Sequence, residues 1–394
     1  MDTLQQRNGA IDMFRGLTMF FMIIVNDFWK AQNVPHWLEH YATMEDGMGF
    51  SDIIYPMFLF AMGMSIPYAL DKREAKGCSL GSTIRHILSR TLALLLMGVF
   101  ICNSEYEVHS IIGYGKGIYW LLMVVAFFLV WGVYPKESKL KRPLRIAGIA
   151  ILAFLAITYR SASGGLFQAL WWGILGQIGW MYLFCASAYL LCRNRKWILP
   201  LVWVVLCLVN LSVAPMREGG QWLGPNFAAD FVDALNLSNG HSAILAMAGM
   251  LMILAERGMA GWRRTLALST ALCAAALFAL SGSLVHIGWI TSKGLGTLPW
   301  VFFSIAISIT VYAILRVLEK YSITHWFIPL RPCGTSTLSV YMIPYFFLAI
   351  WVFINPVIPA WFSGWTGVGI CFMFGWLCVG VAWILEALKI KLKI

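Results

Sequence analysis

A loop early in the chain collects six side chains that can carry or transfer protons. They lie within the 17 residues of 36–52 and are His36, Glu39, His40, Glu45, Asp46 and Asp52. Histidine serves as a base, an acid or an acyl acceptor near neutral pH, and a carboxylate can fix its tautomer. His36 and His40 also have the spacing of a metal-binding pair, but no third ligand is apparent and no HExxH or EF-hand pattern is present. Two interpretations follow: these residues carry out acid–base or acyl-transfer chemistry, or the histidines are simply solvated side chains of a loop.

The segment before this loop repeats polar and sulfur-containing residues with helical spacing. Asp12, Arg15, Met19, Met22 and Asn26 are separated by three, four, three and four residues, so a helix would place them on one face. Asp12 and Asn26 would lie about 21 Å apart at 1.5 Å per residue. Asp12 and Arg15 could form a structural ion pair that anchors the start of the helix. Asn26 is the stronger functional candidate, because it precedes the histidine loop.

The elements that carry these residues are strongly apolar. Of the 394 residues, 60% are hydrophobic and 12% are charged, whereas soluble domains carry about 25% charged residues. This composition excludes a soluble enzyme, a disordered chain and a disulfide-stapled secreted domain. Long apolar runs without alternation predict a polytopic helical membrane protein, because helices satisfy their own backbone in lipid. The net charge of +11 is interpreted as basic cytoplasmic loops and not as a nucleic-acid surface.

Twelve apolar runs are long enough to predict membrane spans. They cover 11–29, 53–70, 87–102, 118–134, 144–159, 171–192, 197–214, 241–256, 264–284, 297–318, 335–355 and 365–387. With this assignment, 24 of the 29 Lys and Arg residues fall in one alternate set of loops and five in the other. The positive-inside rule then predicts that both termini are cytoplasmic. The prediction is a single all-α integral-membrane domain over 1–394, with no cleavable signal peptide.

The residues around the loop resemble the transmembrane acetyltransferases typified by heparan-α-glucosaminide N-acetyltransferase. Residues 7–16 (RNGAIDMFRG) are similar to that family's R-x-x-S-V/L-D-x-F/L-R-G opening, and 22–26 (MIIVN) to M-x-x-V-N. His40 is similar to the loop histidine of H-A-x-W-x-G, and 52–63 to D-L-I/V-F-P-x-F-L/V-F-I/V-x-G. Weaker similarities follow in the family's order at 173–179, 290–301 and 332–341.

The resemblance implies an acyltransferase that takes an acetyl group from cytoplasmic acetyl-CoA, as donor substrate and without a metal. The acceptor would be an extracytoplasmic amino sugar or glycan, and N-acetylation is favoured over O-acetylation. His40 would be the base or a transient acetyl acceptor, Asn26 would orient the acetyl group or stabilise the oxyanion, and Asp52 would orient His40. Direct transfer and an acetyl-histidine intermediate both remain open.

The resemblance also assigns Arg15, Asp12 and Lys293 to donor binding, since CoA carries a 3′-phosphate and a pyrophosphate. By the charge topology, Lys293 lies at the outer end, where it would meet the acceptor or a helix terminus, or simply snorkel. The expected location is a bacterial inner membrane, with lipid as neighbour and no nucleic-acid partner. Close-packing small residues such as Gly63 and Ser65 are compatible with a homodimer.

Three departures from the family pattern bear on the acceptor. Met44 stands where the family has the tryptophan of H-x-x-W, and Gly176-Gln177 replaces the Gln-Arg of the sixth span. The spans within 118–159 are predicted to be an inserted helical hairpin added to a ten-helix core. Other functions weighed are a secondary transporter of a small polar or sugar-like solute, an O-acetyltransferase of an envelope glycan, and a scaffold without catalysis.

Overall fold

Helices form almost the entire structure. The computed structural model describes residues 9–135, 137–218, 240–258, 264–354 and 361–394, without the side chains of 264–268. In these ranges thirteen α-helices follow one another along the chain: α1 Gly9–Val25, α2 Phe50–Ala75, α3 Leu80–Glu105, α4 Lys116–Trp131, α5 Lys141–Thr158, α6 Ile174–Leu191, α7 Ile198–Val213, α8 His241–Gly258, α9 Arg264–Val285, α10 Leu298–Lys320, α11 Arg331–Thr335, α12 Thr337–Ile354 and α13 Gly364–Ala387.

A helix lies over each of the twelve predicted spans, and the short α11 is additional. Seven segments are long and apolar enough to cross a membrane: Gly9–Lys30, Phe50–Ala75, Leu80–Glu105, Ile174–Leu191, Leu298–Lys320, Thr337–Ile354 and Gly364–Ala387. The prediction of an all-α membrane protein is thus confirmed at this level. The number of crossings, the side of each terminus and the single-domain assignment stay predictions.

Two short strands interrupt the helical pattern between α3 and α6. Strand β1 (Val108–Ser110) pairs antiparallel with β2 (Tyr159–Ser161), with Val108 opposite Ser161. The Tyr159 side chain is buried, and its hydroxyl donates to the Asn103 carbonyl at 3.0 Å. The strands therefore tie the end of the α4–α5 hairpin to the end of α3. The hairpin packs onto the bundle through α4, which contacts α12; that it is an insertion stays a prediction.

Helix α1 is the central element of the described bundle. It packs against α2, α10, α11, α12 and α13, and most of its side chains are buried. Of the stripe predicted for this segment, Met19 and Met22 are buried, Asp12 and Arg15 are half-buried and Asn26 is exposed, so its polar groups lie towards the two ends of the helix.

Helices α2 and α8 approach closely at a pair of glycines. A Cβ on Gly63 would lie 1.7 Å from the Ala246 carbonyl oxygen, and a Cβ on Gly249 would lie 2.0 Å from the Phe60 carbonyl oxygen. Side chains there would force the two backbones apart, which explains glycine at both positions. Gly63 is therefore used within the chain and is not available to a dimer face; the homodimer itself stays a prediction.

Ion pairs join the helices at the end of the bundle that is predicted to be cytoplasmic. Arg257 of α8 contacts Asp71 of α2 at 2.5 Å, and Arg316 of α10 contacts Glu256 of α8 at 2.5 Å. These two arginines therefore join α2, α8 and α10 through acidic partners.

Candidate active site

The start of α2 anchors the loop that carries His40. Asp52, in the first turn of α2, is almost completely buried, and one oxygen of its carboxylate accepts the Gly49 N–H at 3.0 Å and the Tyr41 N–H at 3.1 Å. The first bond caps the helix and the second draws the loop down onto it. The Ser51 hydroxyl adds a bond to the Leu38 carbonyl at 2.5 Å. The loop is thus held by two residues in the first turn of α2.

The other oxygen of Asp52 binds the ring of His40. The distance from His40 Nδ1 to Asp52 Oδ1 is 2.7 Å. An ionised carboxylate only accepts hydrogen bonds, so this contact assigns the proton to Nδ1 and leaves Nε2 with a free lone pair. Nε2 has no hydrogen-bond partner among the described residues, and the side chain is about half exposed. His40 is accordingly arranged as a base that faces open space.

Lys293 joins this pair from a distant part of the chain. Its Nζ lies 3.1 Å from His40 Nδ1 and 3.6 Å from Asp52 Oδ1. Burial lowers the pKa of the Lys293 ammonium, although the charge of Asp52 acts in the opposite direction. The three side chains form a cluster of a cation, a carboxylate and an imidazole, which is called the Lys–Asp–His cluster below.

Two cavities meet at His40. The smaller is about 200 Å³ and is lined by residues that include Asn26, Tyr55, Gln177 and Lys293. The larger is about 830 Å³ and extends towards α3, α4 and α12. Both are lined by His40, Asn26 and Ser51, so the cavities adjoin at the histidine. Asn26, predicted from the helical spacing in α1, therefore shares the site with His40.

The wall of the smaller cavity contains a polar group that the sequence did not single out. The Tyr55 hydroxyl donates to Gln177 Oε1 and lies 3.2 Å from the Ser242 hydroxyl, while Gln177 Nε2 donates to the Trp172 carbonyl at 2.9 Å. Gln177 appeared in the sequence only as a departure from the family's Gln-Arg. Its position in the family motif was the available signal; its contacts with α2 and α8 depend on the fold.

The larger cavity has aromatic and charged walls. Trp29, Trp120 and Trp172 line it, together with the carboxylates of Glu39 and Glu105. Lys116 and Trp120 come from α4, so the predicted hairpin contributes directly to this space. The cavity volume lies within the range of about 300–1,000 Å³ that is usual for small-molecule sites.

Arg15 and Asp12 lie on the stripe of α1 away from His40. The Arg15 guanidinium is 3.8 Å from the Asp12 carboxylate and donates to the Thr337 hydroxyl at 3.1 Å. Neither residue lines the two cavities at His40. The structure thus brings together His40, Asn26, Asp52 and Lys293, and it leaves Arg15 and Asp12 as a separate pair near the start of α12.

His36, the other loop histidine, is engaged elsewhere. Its Nε2 lies 2.6 Å from Glu45, and its ring stacks on Tyr41 at 4.2 Å. This hydrogen bond lowers the pKa of the exposed Glu45 carboxyl. Within the described ranges, no group of three or more His, Cys, Asp or Glu side chains is placed to hold a metal ion.

The fold and the site define an integral membrane protein whose helices surround a histidine–aspartate pair at two adjoining cavities. Residues 5–218, more than half of the chain, match the family described as "Domain of unknown function (DUF5009)", and the chain belongs to that family.

Two curated relatives match a shorter part of the chain. Human heparan-alpha-glucosaminide N-acetyltransferase is 28% identical over 106 residues, which cover 27% of this chain and 15% of the human protein. The mouse protein of the same name is 30% identical over 100 residues, which cover 25% of this chain and 14% of that protein. The match therefore spans about one seventh of each relative. The resemblance seen in the sequence is confirmed at the level of the family.

Proposed function

We propose that this protein is a membrane-embedded acyltransferase. It moves an acetyl group from cytoplasmic acetyl-CoA to the amine of an extracytoplasmic amino sugar or glycan. The observation that carries the proposal is the 2.7 Å contact between His40 Nδ1 and Asp52, which leaves Nε2 available on a side chain that lines two adjoining cavities. The similarity to an N-acetyltransferase supports the class of reaction.

Acyl transfer needs a base, a stabilised oxyanion and a proton for the leaving group. In the proposed reaction, His40 Nε2 takes a proton from the acceptor amine while the amine nitrogen bonds to the thioester carbonyl carbon. The Asn26 amide donates to the resulting oxyanion. The C–S bond then breaks, and the imidazolium of His40 returns its proton to the CoA thiolate. Asp52 keeps the ring oriented throughout and is not itself protonated.

The two cavities suit the two substrates of this reaction. The smaller takes the acetyl group, next to Asn26, and the larger takes the acceptor, whose sugar rings can stack on Trp29, Trp120 and Trp172. Because both adjoin His40, donor and acceptor can be bound together, which favours direct transfer. An acetyl-histidine would instead leave label on the protein when acetyl-CoA is supplied without an acceptor.

The donor phosphates are proposed to bind at the other end of α1. Arg15 offers a planar guanidinium suited to phosphate, and Asp12 holds that group in place. Arg15 in α1 and Asn26, the residue after its end, are eleven residues apart, or about 16.5 Å at 1.5 Å per residue. The linker between the CoA phosphates and the thioester would bridge that distance.

Ligand-induced thermal stabilisation tests the donor. The detergent-purified protein is heated with acetyl-CoA, CoA or ATP, and a ligand at 100 times its Kd should add about 2.7 kcal/mol. We expect a shift with acetyl-CoA and CoA and none with ATP.

Transfer of labelled acetyl to amino sugars, and to matched sugars that carry only hydroxyls, tests the acceptor. The variant His40→Ala serves as the control that binds donor without transfer. If acetyl-CoA at millimolar concentration gave neither a shift nor transfer, the proposal would be wrong and a transporter would be favoured.

A further inference from the structure

Lys293 contacts the proposed base directly and has no role in the reaction as described above. Its Nζ lies 3.1 Å from His40 Nδ1 and 3.6 Å from Asp52 Oδ1, and its side chain is largely buried. We propose that Lys293 is a positioning residue of the acyl transfer. Its ammonium offsets the charge of Asp52, so that Asp52 orients the His40 ring without holding it as imidazolium. The catalytic consequence rests on the proposed function, but the electrostatic role can be tested without it.

The argument starts from what a carboxylate does to an imidazole. A carboxylate alone at 2.7 Å orients the ring, and it also stabilises the protonated ring, which cannot act as a base. A cation that faces the same Asp52 oxygen and the same ring nitrogen disfavours that protonated form. Because Nδ1 donates its hydrogen to Asp52, the ammonium meets the ring as a nearby charge and not as a donor. In the Lys–Asp–His cluster, Asp52 therefore still orients the His40 ring, while Lys293 offsets the stabilisation of the protonated ring by the Asp52 charge.

The same charge assists the second half of the reaction. After Nε2 has accepted the proton from the acceptor amine, the imidazolium lies beside the Lys293 ammonium. Repulsion between the two cations favours release of that proton to the departing thiolate. The N–C bond has formed, the C–S bond has broken, and the proton has moved from the amine to sulfur, so the step balances without a further reactant.

Backbone contacts hold Lys293 at this position. The Thr291 N–H donates to Asp46 at 2.9 Å, and the Ser292 hydroxyl donates to the Thr43 carbonyl at 2.6 Å. A Cβ on Gly294 would lie 2.6 Å from the Thr43 hydroxyl, so the residue after Lys293 has to be small. The segment before α10 is thus bonded to the His40 loop by the two residues that precede Lys293 and lies close to it at Gly294, which is not the environment of a snorkelling surface lysine.

Other titratable groups lie around His40 and contribute to its field. Asp52 and Lys293 contact the ring, and the other titratable groups that line the two cavities are Asp27, Glu39, Tyr55, Cys102, Glu105, Lys116, Tyr341 and Tyr345. Asp27 is paired with Lys30. No Lys or Arg other than Lys293 contacts the His40 ring within the described ranges. Removal of Lys293 therefore removes the one cation in contact with the base.

Chemical modification of His40 tests the role without acyl transfer. Diethyl pyrocarbonate reacts with neutral imidazole, and mass spectrometry of peptides gives the rate at His40 between about pH 5 and pH 8. For Lys293→Met we expect the midpoint of this rate profile to move up by about one pH unit, since a nearby charge shifts such an equilibrium by about that much or more. Lys293→Arg keeps the charge and should restore the wild-type midpoint. Arg217→Met is the matched control, because it removes a cation from the Asp46 contact without touching His40.

The outcomes separate this inference from the proposed function. An unchanged midpoint in Lys293→Met, with the folded protein verified by its melting temperature, would overturn the role of Lys293 whether or not the protein transfers acetyl groups. A midpoint that also moved in Arg217→Met would overturn it too, because the effect would then belong to the loop as a whole. A shift confined to Lys293→Met supports it. If no acetyl transfer were then found, the acyltransferase proposal alone would fail.

Discussion

Replacing Asp52 by Asn separates the orientation of His40 from the integrity of the fold. The two side chains have nearly the same shape, but Asn offers one acceptor oxygen and one NH2 group. The Asp52 oxygen accepts hydrogen bonds from the N–H groups of Tyr41 and Gly49 at 3.1 and 3.0 Å. If the Asn oxygen accepts the same two bonds, its NH2 group faces His40 Nδ1. Nδ1 must then accept a hydrogen bond, and the ring proton moves to Nε2. The base would point the wrong nitrogen at the substrate.

The expected loss of activity follows from that tautomer change. A general base typically increases the reaction rate by about 10²–10⁴-fold, so kcat of Asp52→Asn should fall by that factor. This corresponds to about 2.7–5.4 kcal/mol at 1.36 kcal/mol per tenfold. Breaking a fully buried ion pair costs roughly 3–5 kcal/mol of folding stability. The loss in Asp52→Asn should be smaller, because the Lys293 side chain is 28% exposed to solvent.

The assay compares acetyl transfer with thermal stabilisation by acetyl-CoA in the same preparation. Asp46→Asn is the matched control, since Asp46 also accepts a backbone N–H, at 2.9 Å, but does not contact His40. The control should retain turnover near that of the wild type. Turnover of Asp52→Asn within tenfold of the wild type would refute the assignment of the Nδ1 tautomer.

Three further substitutions test other parts of the structure. His40→Ala should abolish transfer and leave the acetyl-CoA melting shift intact; near-normal turnover would remove His40 from the reaction. Arg15→Gln should raise KM for acetyl-CoA about tenfold with little change in kcat, since a hydrogen bond to a charged group contributes about 1.5–3 kcal/mol; an unchanged KM would make the Arg15 pair structural. Gly63→Ala should destabilise the protein by about 1–3 kcal/mol or more, because its Cβ would meet the Ala246 carbonyl at 1.7 Å. Gly380→Ala, with no atom within 4 Å of its Cβ, is the control, and equal melting temperatures of the two variants would contradict the packing argument.

The positions of the helices could be predicted because their signal is local. An apolar run and its flanking charges are read from neighbouring residues, and a helix lies over each run that was predicted. The pairing of His40 with Asp52 also lay within reach, since only eleven residues separate them and one loop joins them. The helical spacing in α1 likewise marked Asn26, which lines both cavities.

The short strands and the internal use of Gly63 were not predictable in the same way. The strands pair residues about fifty positions apart, and their register depends on where α4 and α5 end. Gly63 is consistent with a dimer face in the sequence, and only the position of α8 shows that it serves contact within the chain.

The sequence by itself therefore determined the class of protein, the helices and the histidine loop, because these depend on composition and on periodicity over a few residues. Tertiary structure alone decided that Lys293 contacts His40, which lies 253 positions earlier in the chain. It also decided that Gln177 of α6 contacts Tyr55 of α2 and Ser242 of α8. The physical reason is that apolar spacing tells which face of a helix is buried, but it does not tell which other helix covers that face. The cavities at His40 exist only once that packing is complete.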